Sequence, residues 1–158
     1  MSFERVKSYF KSIGMIDRVK EFDKSSATVD LAAKAIGCEP ELIAKTMSFQ
    51  LGDKAILIVT AGDAKVDNRK YKDYFGKKAK FIKAESLESI IGHPPGGICP
   101  FAVNEDVRIF LDESLKRFDI VYPAAGSENS AVKLNLEELE KYSNSEAWVD
   151  VCKEWQIE

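Results

Sequence analysis

Residues 45–60 read KTMSFQLGDKAILIVT. Two runs, Lys45–Leu51 and Lys54–Thr60, flank the dipeptide Gly52-Asp53. A two-residue loop that begins with glycine marks a tight antiparallel hairpin, because glycine supplies the positive φ that the first turn position needs. The second run, AILIVT, is nearly all apolar, which places it centrally in a sheet.

Upstream, an apolar stripe at Phe3, Val6, Phe10 and Ile13 predicts a helix over 2–13 that stops at Gly14. Val19 to Phe22 reads as a strand. Thr28 can cap a second helix with Leu31, Ala32, Ala35 and Ile36 inward and Gly37 at its end. Pro40 suits the first turn of a third helix over Glu41–Ala44. Downstream, Asp67 can cap a basic helix that ends near Phe75-Gly76. A short strand around Phe81 and a helix from Ser86 to Ile91 follow. The segment His93–Pro100, HPPGGICP, holds three prolines and two adjacent glycines, which excludes regular structure. Strands are expected at Val107–Leu111, Ile120–Ala125 and Ala131–Leu134. Asn135 and Glu138 have capping-box spacing for a helix through Tyr142, and Trp148–Cys152 reads as a final edge strand. Strands and helices alternate, yet several links are too short for parallel crossovers. The expectation is an α/β protein of the α+β type, with a mixed, mostly antiparallel sheet flanked by helices. No repeat or linker divides the chain, so residues 1–158 are expected to form one domain.

The 158 residues, 45% hydrophobic and 31% charged, suffice for a packed core and exclude disorder. No run approaches the ~20 apolar residues that a membrane-spanning helix needs, and the start is amphipathic rather than a signal block. A cytoplasmic protein with no membrane partner is expected. Three widely spaced cysteines without a CxxC pair argue against disulfides and zinc, and a single histidine, His93, excludes a multi-histidine centre. No metal or cofactor is expected. The net charge of −3 hides an asymmetry, since residues 65–83 carry eight Lys or Arg against two Asp. Such a run is either a solvated helical face or a patch that meets a polyanion.

Three places can carry chemistry. Lys45, followed by Thr46, stands where a short helix is expected to meet a strand. It can reach into a cleft as a mobile point charge, or it is a surface lysine. Gly96-Gly97-Ile98-Cys99-Pro100 can present backbone N–H groups closely to a ligand, with prolines limiting its freedom; a tight structural crossing would look the same. Ala124-Ala125-Gly126-Ser127, leading into Glu128-Asn129-Ser130, offers either a pocket wall of small residues or an ordinary turn. A thiol nucleophile at Cys99 would need His93, six residues back, as its base, a contact that a proline-rich loop does not favour.

Taken together, Ile43-Ala44-Lys45-Thr46, Ala61-Gly62-Asp63-Ala64-Lys65-Val66-Asp67, Gly96-Gly97-Ile98-Cys99-Pro100-Phe101 and Ala124-Ala125-Gly126 resemble, in order, the signatures of the YbaK-type or prolyl-tRNA editing domain family. The resemblance covers roughly residues 20 to 140 and implies a compact fold around a curved sheet. It implies a free-standing deacylase that hydrolyses the ester of a mischarged tRNA carrying a small amino acid such as Cys, Ala, Ser or Thr. By that resemblance Lys45 holds the terminal nucleotide, and the backbone of Gly96, Gly97 and Ile98 holds the aminoacyl carbonyl. Thr46, Cys99, Pro100, Ala124, Gly126 and Ser127 would surround the substrate. The attacking water would be activated by the substrate's own ribose hydroxyl. Lys65, Arg69, Lys70, Lys77, Lys78 and Lys80 would meet the tRNA backbone, and an aminoacyl-tRNA synthetase is the implied protein partner. Ala124 and Ala131 stand where some bacterial members have Ser and Asp, which bears on the amino acid removed more than on the reaction. The alternative is a non-catalytic tRNA- or protein-binding regulator that keeps the fold.

Overall fold

The computed structural model of the chain describes residues 2–26 and 28–155. In order these form α1 (Ser2–Ser12), β1 (Val19–Glu21), α2 (Val29–Ile36), β2 (Ile43–Leu51), β3 (Lys54–Ala61), β4 (Lys65–Val66), α3 (Asn68–Phe75) and α4 (Leu87–Ile90). There follow β5 (Arg108–Asp112), β6 (Ile120–Pro123), β7 (Ser130–Val132), β8 (Leu134–Asn135), α5 (Leu136–Ser143), β9 (Ala147–Val149) and β10 (Cys152–Lys153).

The hairpin forms in the expected register, from Ala44 opposite Ala61 to Leu51 opposite Lys54, and Gly52 takes φ +63° at the turn. β3 lies inside a six-stranded sheet of order β8-β6-β2-β3-β5-β9. Ile56, Leu57, Ile58 and Val59 are each fully buried, so both faces of the strand are covered. Ile56 and Ile58 join a core with Phe49, Tyr71 of α3 and Phe110 of β5. Leu57 packs instead with Ile82, Leu87 and Ile91. Burying one such aliphatic side chain is worth about 1.5–3 kcal/mol, so this strand alone anchors the sheet.

The sheet is curved and mixed, flanked by helices. Among the described residues it holds two antiparallel and three parallel ladders, and two separate two-stranded sheets, β1-β7 and β10-β4, add two antiparallel ones. Each parallel ladder (β2 with β6, β3 with β5, β5 with β9) joins strands that are not consecutive, which supplies the long crossover a parallel pair requires.

Several expected elements are displaced. The third helix is only a 3-10 turn, Pro40–Leu42, because Ile43 already pairs with Tyr122 as the start of β2. On α2 the inward residues are Ala32 and Ala33, while Leu31 is 43% exposed; the helix is rotated by about one residue from the expected face. The strand expected over 131–134 is two short strands, since Ser130–Val132 pairs with β1 and Leu134–Asn135 with β6. The final strand also divides: β9 forms the sheet edge, and β10 pairs with β4. A 3-10 helix over Glu113–Arg117, begun by Asp112 accepting from the Ser114 N–H, was not anticipated.

The capping box at α5 is present in full. Asn135 accepts from the Glu138 N–H at 2.8 Å, and its own N–H donates to Glu138 Oε1 at 2.9 Å. Glu138 also meets Arg18 at 2.9 Å, which ties α5 to the turn before β1. Asn135→Ala is expected to cost about 1 kcal/mol and lower the melting temperature by about 2–4 °C in thermal unfolding.

Candidate functional site

β2 carries different partners along its outer edge. At its start Ile43 and Ala44 pair with Tyr122 and Pro123 of β6. Near its end Phe49 is bridged to Phe81, with the Gln50 N–H donating to the Lys80 carbonyl (2.8 Å) and the Ile82 N–H to the Ser48 carbonyl (3.2 Å). Backbone polar groups alternate along a strand, so Thr46 directs its N–H and C=O the same way as Ser48 and Gln50, away from β3. Thr46 thus falls in a break between two pairings, and among the described residues its buried Oγ1 has no hydrogen-bond partner.

A cavity of about 270 Å³ opens at this break. Ile43 through Met47, Gly96 and Ile98, Tyr122 and Ala124, and Ser130 and Ala131 line it, together with Ser26, Thr28, Val29 and Ala32 around the start of α2. Lys45 is the one charged residue among them, and no Asp, Glu, His or Cys of the described residues contributes. Lys45 is half-buried, and burial holds its ammonium below the ordinary lysine value, opposed by Asp63 and the Cys152 thiol. The N-terminal end of α2, positive by its helix dipole, borders the same space. The cavity therefore favours a group with negative or partly negative oxygens.

Of the residues singled out in the sequence, Lys45, Thr46, Gly96, Ile98 and Ala124 are brought together on its wall. Lys45 is not at a helix–strand junction but third in β2. Gly97, Cys99, Pro100, Gly126 and Ser127 do not line the cavity. A Cβ on Gly97 would stand 2.7 Å from Gly126 C and Ser127 N, so two backbones meet there with no room for a side chain. The Gly97 N–H donates to the Pro94 carbonyl at 3.0 Å, closing the loop on itself rather than facing a ligand. Gly96, with φ +84°, is the glycine that reaches the cavity. Ser127 is engaged with Asn129 (3.0 Å) and Ser130 (2.7 Å), and it is Ser130 that lines the wall.

The contact between Cys99 and His93, unfavoured by sequence, is made: Sγ lies 3.5 Å from Nε2. It is not a catalytic dyad. Both residues are fully buried, and burial pushes the Cys99 thiol up to about 12. His93 Nε2 faces the Phe101 carbonyl at 2.7 Å and must donate to it, while Nδ1 accepts from the Ser2 hydroxyl. No lone pair is left for the thiol proton. His93 instead staples the two ends of the glycine loop and anchors them to α1.

The basic run divides. Lys65 pairs with Glu154 at 3.4 Å, and Lys70 with Asp150 at 3.1 Å and the Cys152 carbonyl at 2.9 Å; both tie down the C-terminal segment. Arg69, Lys77, Lys78 and Lys80 are exposed, and among the described residues none of their side chains makes an ion pair. Sequence reasoning missed Ser26, Thr28, Val29, Ala32, Met47 and Tyr122 as lining residues, and it quoted Ile43, Ala44, Ser130 and Ala131 without assigning them to the wall. Thr28 carried a signal, but for its cap, which it also makes by accepting from the Leu31 N–H at 3.1 Å. Among the described residues no helix is long and apolar enough to cross a membrane.

The family model described as aminoacyl-tRNA editing domain matches residues 23–142. The chain is 46% identical to the uncharacterized protein YwhH of Bacillus subtilis over 157 residues, covering 99% of this chain and 100% of that one. It is 29% identical to the proline–tRNA ligase of Limosilactobacillus fermentum over 73% of this chain but only 22% of that enzyme. A crystal structure described as a candidate trans-editing enzyme for prolyl tRNA synthetase superposes with TM-score 0.86 at 25% identity, covering 96% and 97% of the two chains.

The buried His93 has a pH signature. Burial, assisted by the Arg5 cation and opposed by the Phe101 carbonyl, holds its imidazole below the usual histidine value. Above about pH 6.5 it is neutral in folded and unfolded chains alike. Below that, the unfolded chain takes up a proton that the folded site resists, and stability falls towards about 1.4 kcal/mol per pH unit until the lowered value is passed. Urea midpoints of the wild type should therefore drop relative to His93→Gln between pH 6.5 and 5. A constant offset across that range would contradict this account.

Proposed function

We propose, on the premise that this chain belongs to the aminoacyl-tRNA editing domain family, that it is a free-standing deacylase clearing a mischarged tRNA. Water adds to the ester carbonyl carbon, and the bond from that carbon to the ribose oxygen breaks. A free amino acid and a tRNA with an unesterified terminal ribose leave. The observation that carries the reading is the composition of the cavity wall: one half-buried lysine, hydroxyls and apolar residues, with no carboxylate or histidine among the described residues.

Such a wall binds and orients but supplies no conventional general base. A vicinal ribose hydroxyl of the substrate then takes that part, and the protein's contribution is positioning. Lys45, beside the α2 N-terminus, is assigned to the terminal phosphate, where a charge-assisted contact is worth about 1.5–3 kcal/mol. Gly96 and Ile98 are assigned to the aminoacyl end. Val29, Ala32, Ala124 and Ala131 leave space for a small side chain, in keeping with Cys, Ala, Ser or Thr. Arg69, Lys77, Lys78 and Lys80 are the basic residues assigned to tRNA phosphates, and a synthetase is the proposed protein partner.

The purified protein should release amino acid from one or more members of a panel of mischarged tRNAs. Lys45→Ala, folded by circular dichroism, should be roughly ten- to hundredfold slower on the same substrate. Cys99→Ser should keep substantial activity, since the thiol is buried away from the cavity. A folded Lys45→Ala protein with wild-type rate, or a trapped thioester on Cys99, would end this assignment.

A further inference from the structure

Phe81 is 58% exposed, the highest exposure among the large hydrophobic side chains of the described residues. It is not a stray ring on a loop. Its backbone bridges Phe49 of β2, and the Gln50 and Ile82 bonds on either side hold it in strand register. Its ring lies over that of Phe49, centroids 4.7 Å apart and planes 33° from parallel, while Phe49 beneath is fully buried. One face of Phe81 is thus seated on the core and the other is presented to solvent in a fixed orientation.

Its surroundings give the occupant. Lys80 precedes it, Lys77 and Lys78 lie just upstream, and Lys77 Nζ reaches to 3.6 Å from the Cβ position of Gly52 at the hairpin tip. All three lysines are exposed and, among the described residues, without ion pairs, unlike Lys65 and Lys70. On the cavity side, Thr46 is three residues from Phe49 along β2, about 10 Å at strand rise. A flat aromatic ring, unneutralised cations beside it and a cavity one short step away suit a strand of unpaired nucleotides, because bases stack on such rings while lysines hold the phosphates.

Resting on the deacylase reading, we infer that Phe81 is a stacking platform for an unpaired base of the tRNA acceptor end, just inward of the nucleotide held at the cavity, with Lys77, Lys78 and Lys80 along the phosphates. The platform reads no sequence. It sets the path by which the esterified end enters and makes the single-stranded end, not the duplex stem, the part grasped next to the cavity.

The test is binding of a 5′-labelled uncharged tRNA, intact or with its single-stranded 3′ nucleotides removed, followed by anisotropy. Phe81→Leu keeps an apolar cap on Phe49 but removes the plane. It should bind intact tRNA about tenfold more weakly, equivalent to about 1.4 kcal/mol and within the range for one base–aromatic stack. On trimmed tRNA it should match wild type. Phe81→Trp should bind intact tRNA at least as tightly as wild type. Tyr74→Leu, a change at an exposed aromatic 51% accessible and packed against Phe75 and Phe110, should alter neither. Replacing Lys77, Lys78 and Lys80 with Gln should flatten the log–log salt dependence by about 0.7 per lost contact. Wild-type affinity of Phe81→Leu for intact tRNA, or an equal loss on trimmed tRNA, overturns the inference. So does loss of synthetase capture by Phe81→Leu with tRNA affinity unchanged, which would make the ring a protein contact. Hydrolysis of the mischarged panel is scored separately: an inactive wild type that shows the Phe81 pattern keeps the platform, and an active one that lacks it keeps only the deacylase.

Discussion

β3 is the constraint to which the rest of the fold answers. Four consecutive fully buried side chains on one strand demand cover on two opposite faces. α3 supplies one, through Tyr71, and Leu87 of α4 with Ile82 and Ile91 supplies the other. Both edges must be paired as well, by β2 and β5. β2 is therefore held rigidly on its inner edge, and its outer edge is where the protein can differ from a closed sheet. The cavity lies there, one strand away from the fully buried run of β3.

The glycine loop owes its shape to contacts pointing away from the cavity. Gly97 abuts the Gly126–Ser127 backbone, and His93 links the loop to the Phe101 carbonyl and to Ser2 of α1. Gly96 and Ile98 thus reach the cavity from a support fixed at two points. A preorganised wall of this kind opposes the reorganisation that would otherwise accompany each binding event. Lys45 differs in kind: a long side chain with a fixed base and a movable charge. The two parts divide the work between shape and electrostatics.

Much of this was legible locally. The hairpin follows from Gly52-Asp53 and the apolar run after it, and the caps at Thr28, Asp67 and Asn135 from short-range hydrogen-bonding chemistry. Lys45 and Gly96 stood out because their residue types are unusual for their places. Tyr122 and Ser130 did not, because they reach the cavity only through the β2–β6 pairing and the β1–β7 pairing, which join segments distant in sequence. The role of Gly97 shows the limit of local reading: a glycine pair signals close approach, but not whether to a ligand or to another backbone. The Glu41–Ala44 helix failed because pairing of Ile43 with Tyr122 overrode a weak helical start. Cys99 and His93 met despite the prolines, because both belong to the interior of the loop rather than its mouth.

The break in β2 at Thr46 has a consequence for solubility. An unpaired strand edge invites other chains to add to it, and long bare edges are aggregation hazards. Here the uncovered stretch is a single outward-facing residue, closed on one side by Tyr122–Pro123 and on the other by Lys80–Ile82. No foreign strand can gain register against so short an interval. An interval of one residue can face a small ligand without offering a template for fibril growth.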